Sequence, residues 1–226
     1  VRTICIIPAR GGSKRIPKKN IKDFRGKPII CYSIEVAQMS GMFEEIIVST
    51  DDKDIAEIAR QYGVTVHERS IENANDTAST FSVIEEVSRM HPSELICCLY
   101  PCAPLVTTRH LNLLHRLMMA GNFDSVFPMV EYSHPIQRAL KLTGNKVEMV
   151  HPENMHERTQ DLEPRYHDAG QFYWLRTKEI LKKGKLMTDN TTGGVVDNLP
   201  DIDNETDWKL AELQHESNDH SRRAVA

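Results

Sequence analysis

Short β-rich runs that alternate with amphipathic stretches predict an α/β domain, a mostly parallel sheet covered by helices on both faces. Three observations carry this. Apolar, β-prone runs recur at 3–9, 45–50, 64–68, 94–100 and 124–130; the stretches between them space their apolar residues as a helix does; and capping residues stand at the helix ends. With 226 residues, 40% of them hydrophobic, the chain can bury one good core, so 1–226 reads as a single domain.

In chain order, TICIIPA is followed by a helix over 28–41, EIIVST by one over 52–63, VTVHE by one over 77–91, and ELICCLY by one over 108–121. Thr50-Asp51-Asp52 and Asp76-Thr77 supply N-cap oxygens, and Gly63 and Gly121 stand as helix stops. The rhythm breaks near Pro128. From about 130 to 165 the chain is irregular, with a hairpin around Thr143-Gly144-Asn145, and reads as an insertion able to serve as a lid, a substrate wall or a subunit contact. Helical spacing resumes at 177–185 and again from about Thr206, before a polar tail from His215 that is expected to fray.

A net charge of −4 excludes general polyanion binding, so nucleic acid is not an expected partner. No uncharged apolar run approaches the roughly 20 residues of a membrane helix, and no charged-then-apolar leader opens the sequence, which makes cytoplasm the expected compartment. The five cysteines, Cys5, Cys31, Cys97, Cys98 and Cys102, lack disulfide or zinc spacing and read as small hydrophobes.

Against this acidic background, Ala9-Arg10-Gly11-Gly12-Ser13-Lys14-Arg15 places glycines and cations directly after the first strand. It matches neither the Walker nor the dinucleotide glycine pattern. Glycines let successive N–H groups converge on an anion, and Arg10, Lys14 and Lys19 add full charges, so a phosphate is one reading; a solvated basic turn is the other. Asp201 and Asp203, two apart in an extended stretch, point to one side. They read either as hard ligands suited to Mg²⁺ or as part of an acidic loop whose Asp207 or Thr206 caps the last helix.

IIPARGGSKRIPKKNI, then Gly26-Lys27-Pro28 and IIVSTDD at 46–52, resembles the CMP-sugar synthetases, cytidylyltransferases that activate nonulosonic acids and ketodeoxyoctonate; the likeness runs from Thr3 to about Leu213. The resemblance implies a Rossmann-like, doubly wound fold of nucleotidyltransferase type. It implies that Ala9, Arg10, Gly11, Ser13, Lys14 and Asn20 hold the triphosphate of CTP, with Arg10 and Lys19 assisting departure of pyrophosphate. HERSIENANDTAST, by itself an ordinary helix start, is similar to the family's cytidine stretch, which puts Arg69, Ala78, Ser79 and Thr80 on base and ribose. Asp201 and Asp203 fall on the family's magnesium aspartates. The resemblance makes Asp203 the implied proton acceptor, with Asp201 or hydroxide on the metal as alternatives.

Two stretches depart from the sialic acid branch: Tyr100-Pro101 stands where a glutamine-proline pair is typical, and YHDAGQFYW at 166–174 replaces a segment carrying an arginine for the sugar carboxylate. Both resemble the pseudaminic acid branch. The implied sugar contacts are Tyr100, His167, Asp168 and Gln171, whereas Phe172 and Trp174 read as core. The implied reaction transfers CMP from CTP to a nonulosonic acid, pseudaminic acid first and sialic acid second; a non-catalytic nucleotide-binding module is the other class. A homodimer, with the 130–165 insertion as its arm, is likewise implied.

Overall fold

The computed structural model describes residues 1–13, 15–74, 78–197 and 199–224, with side chains through 218. Among the described residues, twelve strands and six α-helices follow in order: β1 Thr3–Pro8, β2 Asp23–Phe24, β3 Lys27–Pro28, α1 Ile29–Ser40, β4 Glu45–Thr50, α2 Lys53–Gln61, β5 Thr65–Glu68, α3 Thr80–Met90, β6 Leu95–Leu99, α4 Thr108–Gly121 and β7 Ser125–Glu131. Then come β8 Leu140–Thr143, β9 Lys146–Met149, β10 Tyr166–Asp168, β11 Phe172–Arg176, α5 Thr177–Lys183, β12 Thr191–Val195 and α6 Glu205–Ala224.

The main sheet runs β10-β7-β11-β6-β1-β4-β5, with β12 on β7. β6, β1, β4 and β5 pair in parallel, and so do β12 and β7, whereas β11 lies antiparallel between β6 and β7. The parallel α/β expectation holds, and the reversed strand is the addition. Alternation along β1 explains the two-sided core: Cys5 and Ile7 pack in the layer that includes α1 and α4, and Ile4 and Ile6 in the layer of α3 and α5. Every one of these four side chains is fully buried, which is why the strand reads as a continuous apolar run.

β10 and β11 form one interrupted strand against β7. Between the pairs Asp168↔Met129 and Trp174↔Val126, six steps of chain oppose three of β7, so residues 169–171 bulge out, while Phe172 and Tyr173 stay paired with Leu99 and Cys98 of β6. The expected hairpin is present as β8–β9, turning at Gly144 with φ +59°. It sits apart from the main sheet.

Several local expectations need correction. α4 ends at Gly121 and its left-handed cap is Asn122; Gly121 is required instead because a Cβ there would collide with the Phe123 ring. Asp76 and Thr77 lie outside the described residues, and the side chain that caps α3 is Ser79, which accepts from the Ser82 N–H. Asp52 caps α2 as expected, accepting from Asp54 and Ile55 N–H. The tail is helical through Ala224, because α6 is anchored by buried Trp208 and Ala211 and tied by the Arg25–Glu216 ion pair. β12 has no sequence forecast, since TTGGV shows no alternation.

Candidate active site

The carboxyl ends of β1, β5 and β6 open on a cleft of about 490 Å³. Ligands of open α/β sheets bind beyond these strand ends because loops and helix N-termini converge there. The basic wall is the loop after β1, contributing Arg10, Ser13, Arg15, Lys19 and Asn20; the acidic wall is Asp201 and Asp203; the far wall is Arg69, the α3 start from Ala78 to Thr80, and Tyr100. Lys14 lies outside the described residues.

The loop after β1 is held from behind. Ala9 is fully buried and continues the ladder through its N–H to the Ser49 carbonyl at 2.9 Å. Gly11 donates its N–H to Asp51 Oδ1 at 3.0 Å, and a Cβ at this position would lie 2.9 Å from the Asp52 Cβ, so only glycine fits the approach. Ala9 and Gly11 therefore back the cleft without lining it, and the Gly11 amide is already engaged by Asp51 instead of waiting for an anion. Asn20, almost fully buried, donates Nδ2 to the Arg10 carbonyl at 2.8 Å and accepts from Cys102 Sγ at 3.2 Å, which fixes the turn that carries Lys19.

Arg69 donates Nη2 to the Ser49 carbonyl at 2.7 Å, and Thr80 Oγ1 lies 3.0 Å from the Tyr100 hydroxyl. Burial, foremost, pushes the Tyr100 phenol up to about 12, so it faces a ligand as a neutral hydroxyl. Ile202 tucks into the core and leaves Asp201 and Asp203 on the cleft side, as period-two geometry requires. Asp203 pairs with Arg15 at 2.7 Å. Solvent reaches Asp201, yet desolvation by the cleft walls, and then the charge of Asp203, raise its carboxyl. The α6 cap is separate: Asn204 Oδ1 accepts from Thr206 and Asp207 N–H, and Asp207 Oδ2, one of the two expected caps, accepts in return from Asn204 and Asp203 N–H, so the carboxylates of Asp201 and Asp203 are not needed for it.

The structure does not bring His167, Asp168 or Gln171 onto the cleft wall. His167 lies exposed on β10 beside Tyr132, where its Nδ1 is 2.9 Å from the Asp168 carbonyl. Asp168 accepts the Tyr173 hydroxyl and the Gly170 N–H. Gln171 is buried and donates Nε2 to the carbonyls of Ala169 at 3.0 Å and Pro200 at 3.4 Å. The bulge is the physical reason: it turns Gln171 inward to brace the segment before Asp201, and brings Gly170 and Tyr173 to the cleft instead. Tyr173, Arg15 and Cys102 are among the cleft residues that the sequence did not single out, as is Gly170. Alternation from Phe172 and Trp174, both core, points to Tyr173 on the opposite face.

The profile described as Cytidylyltransferase matches residues 4–189. The chain is 38% identical to the pseudaminic acid cytidylyltransferase of Campylobacter jejuni subsp. jejuni (strain 81-176), covering 98% of this chain and 99% of that one. It is 34% identical to N-acylneuraminate cytidylyltransferase A of Danio rerio, over 92% of this chain and 49% of the relative. Among solved structures, CMP:2-keto-3-deoxy-manno-octonic acid synthetase complexed with CTP aligns with a TM-score of 0.74 at 17% identity, over 96% of this chain and 100% of that one, a likeness of fold. Fold, profile and near-full-length identity agree, and the chain belongs to the cytidylyltransferase family.

Proposed function

We propose that this protein transfers CMP from CTP to the anomeric hydroxyl of a nonulosonic acid, pseudaminic acid, with release of pyrophosphate. The observation that carries the reading is the cleft itself: cations of the β1 loop on one side, two carboxylates on the other, and a far wall of Arg69, Ala78 to Thr80 and Tyr100. The relatives' names supply the sugar.

In this reading Arg10, Ser13 and Lys19 take the triphosphate, with Asn20 holding their loop, and Arg69, Ala78, Ser79 and Thr80 take base and ribose. Negative charge grows on the departing pyrophosphate, so Arg10 and Lys19 stabilise the transition state more than the ground state. Tyr100 and Tyr173 offer neutral hydroxyls to the sugar, with Asp168 orienting Tyr173. Asp203 accepts the proton of the attacking hydroxyl.

Asp201 and Asp203 fit Mg²⁺: two hard oxygen donors on one wall, whose mutual repulsion the neighbouring Lys19 and Arg15 only partly offset, opposite the phosphate-binding loop. The ion, when bound, neutralises phosphate charge. A homodimer through the β8–β9 hairpin belongs to the same reading, because Leu140, Leu142 and Val147 are 61–70% exposed on a ribbon too small to be stable alone. CTP as donor and five free thiols fit the cytoplasm, and no described helix is long and apolar enough to cross a membrane.

The test is pyrophosphate release with CTP and Mg²⁺ in the presence of pseudaminic acid, N-acetylneuraminic acid or neither. Release with pseudaminic acid alone is expected. Preference for N-acetylneuraminic acid overturns the sugar, and no release with either sugar overturns both sugar assignments in favour of a different sugar or a non-catalytic nucleotide-binding module.

A further inference from the structure

A buried polar chain lies behind Arg69, outside the cleft. His67 of β5 and Ser49 of β4 are register partners at the ends of parallel strands, and both are at most 3% exposed. His67 Nδ1 sits 3.1 Å from Ser49 Oγ, and Arg69 Nε donates to that same oxygen at 3.4 Å. The donor inventory sets the direction. Arginine only donates, so Ser49 Oγ accepts from it; the Ser49 hydroxyl has no other acceptor among the described residues, so its hydrogen goes to His67 Nδ1, which is then the unprotonated ring nitrogen. Nε2 then carries the hydrogen and faces Glu86 Oε1 at 3.5 Å, too loose for a hydrogen bond, with no other partner among the described residues.

Glu86 is spent on the next turn. It accepts from Ser70 N–H at 2.8 Å, from the Ser70 hydroxyl at 2.7 Å, and from Asn73 Nδ2. Burial holds the imidazole below its ordinary pKa, consistent with the neutral form that the chain requires. The bonds to Ser49 occupy the Nε edge of the guanidinium and leave the Nη1 edge for a ligand.

We propose that His67 is a positioning residue for nucleotide binding: through Ser49 it fixes the guanidinium of Arg69, so that it acts on CTP without touching it. The proposal rests on the CTP reading above. A filler histidine would affect stability and all kinetic constants together; a positioning one acts on CTP first.

The experiment compares His67→Ala, His67→Asn, His67→Gln and Ser49→Ala, each checked by thermal unfolding. In His67→Ala, KM for CTP is expected to rise about fivefold, the conversion of one ordinary hydrogen bond, with kcat and the sugar KM little changed. Asparagine places its amide near Nδ1 and restores the wild-type KM, whereas glutamine reaches the Nε2 position and does not. Ser49→Ala shows the same shift, and adding His67→Ala to it brings no further loss, as members of one chain require. An unchanged CTP KM in folded His67→Ala, equal rescue by asparagine and glutamine, or additive effects with Ser49→Ala overturns the proposal. If His67→Ala does not fold, His67→Asn against His67→Gln and Ser49→Ala decide it. Wild-type protein that binds CTP by calorimetry without turnover overturns the enzyme reading and leaves the same comparison in Kd; wild-type protein that does not bind CTP overturns both.

Discussion

Arg15 Nη2 lies 2.7 Å from Asp203 Oδ1, joining the basic loop to the acidic segment at the mouth of the cleft. Both side chains are well exposed, so the pair contributes at most about 1 kcal/mol and yields to a competing cation. Arg15→Gln is therefore expected to lower the Mg²⁺ concentration for half-maximal pyrophosphate release by up to about fivefold. An unchanged requirement would separate Asp203 from the metal.

Gly170 holds φ at +63°, and a Cβ there would stand 3.2 Å from Asp201 Oδ2. Gly170→Ala adds left-handed strain of about 1 kcal/mol and pushes on the aspartate. The expected loss is in kcat, by up to about tenfold, since Asp201 must give by a few tenths of an ångström and a full ångström of misplacement at a site costs about a hundredfold. Steady-state kinetics that show only a raised CTP KM would contradict this.

Cys102 borders the cleft, yet its thiol is pushed up to about 12, chiefly by burial, with Asp201 adding to the rise and Lys19 opposing it. It stays protonated at neutral pH and unreactive. Iodoacetamide at pH 8 should leave it unmodified in the native protein and label all five cysteines after denaturation. Fast native labelling, followed by mass spectrometry, would show a populated thiolate.

Asp124 is buried between β7, α5 and the segment before β12. Burial alone would raise its carboxyl, but bonds from Lys183 at 2.8 Å, Thr188 at 2.7 Å and Asn190 at 3.1 Å outweigh it and hold the folded value below the ordinary one. A depressed carboxylate stabilises the fold above its unfolded pKa of about 3.9, and that contribution disappears as pH falls through the folded value. The stability gap between wild type and Asp124→Asn, measured by denaturant melts, should therefore be constant from neutral pH to about 4.5 and narrow below it. A gap that widens with acid would reverse the assignment.

On the hairpin, Leu142 pairs with Val147 and Leu140 with Met149, which places these side chains on one face. Leu142→Lys should convert a dimer, read by light scattering, to monomer. A wild-type monomer would remove the arm from the proposal.

Most cleft residues were legible because each sits in a short contiguous stretch at a strand end: Arg10 to Asn20 after β1, Arg69 after β5, Ala78 to Thr80 entering α3, Tyr100 after β6. Parallel order then brings those ends together without further information. Gln171 and Asp168 were misplaced because a bulge changes which way each side chain faces, and its length depends on pairing with β7, far away in the chain. β12 was invisible for a related reason: its glycines make room for Met129 and Leu114, neighbours that only the folded chain supplies.

The segments that carry the two walls of the cleft are also tied by Lys22 and Glu205, 183 positions apart in sequence and 2.6 Å apart between Nζ and Oε1. During synthesis the first loop emerges long before the segment that completes the site. A nascent chain stalled short of α6 should thus present a folded β1–β6 core that does not retain nucleotide. Binding competence would arrive late and abruptly, as the last helix leaves the ribosome.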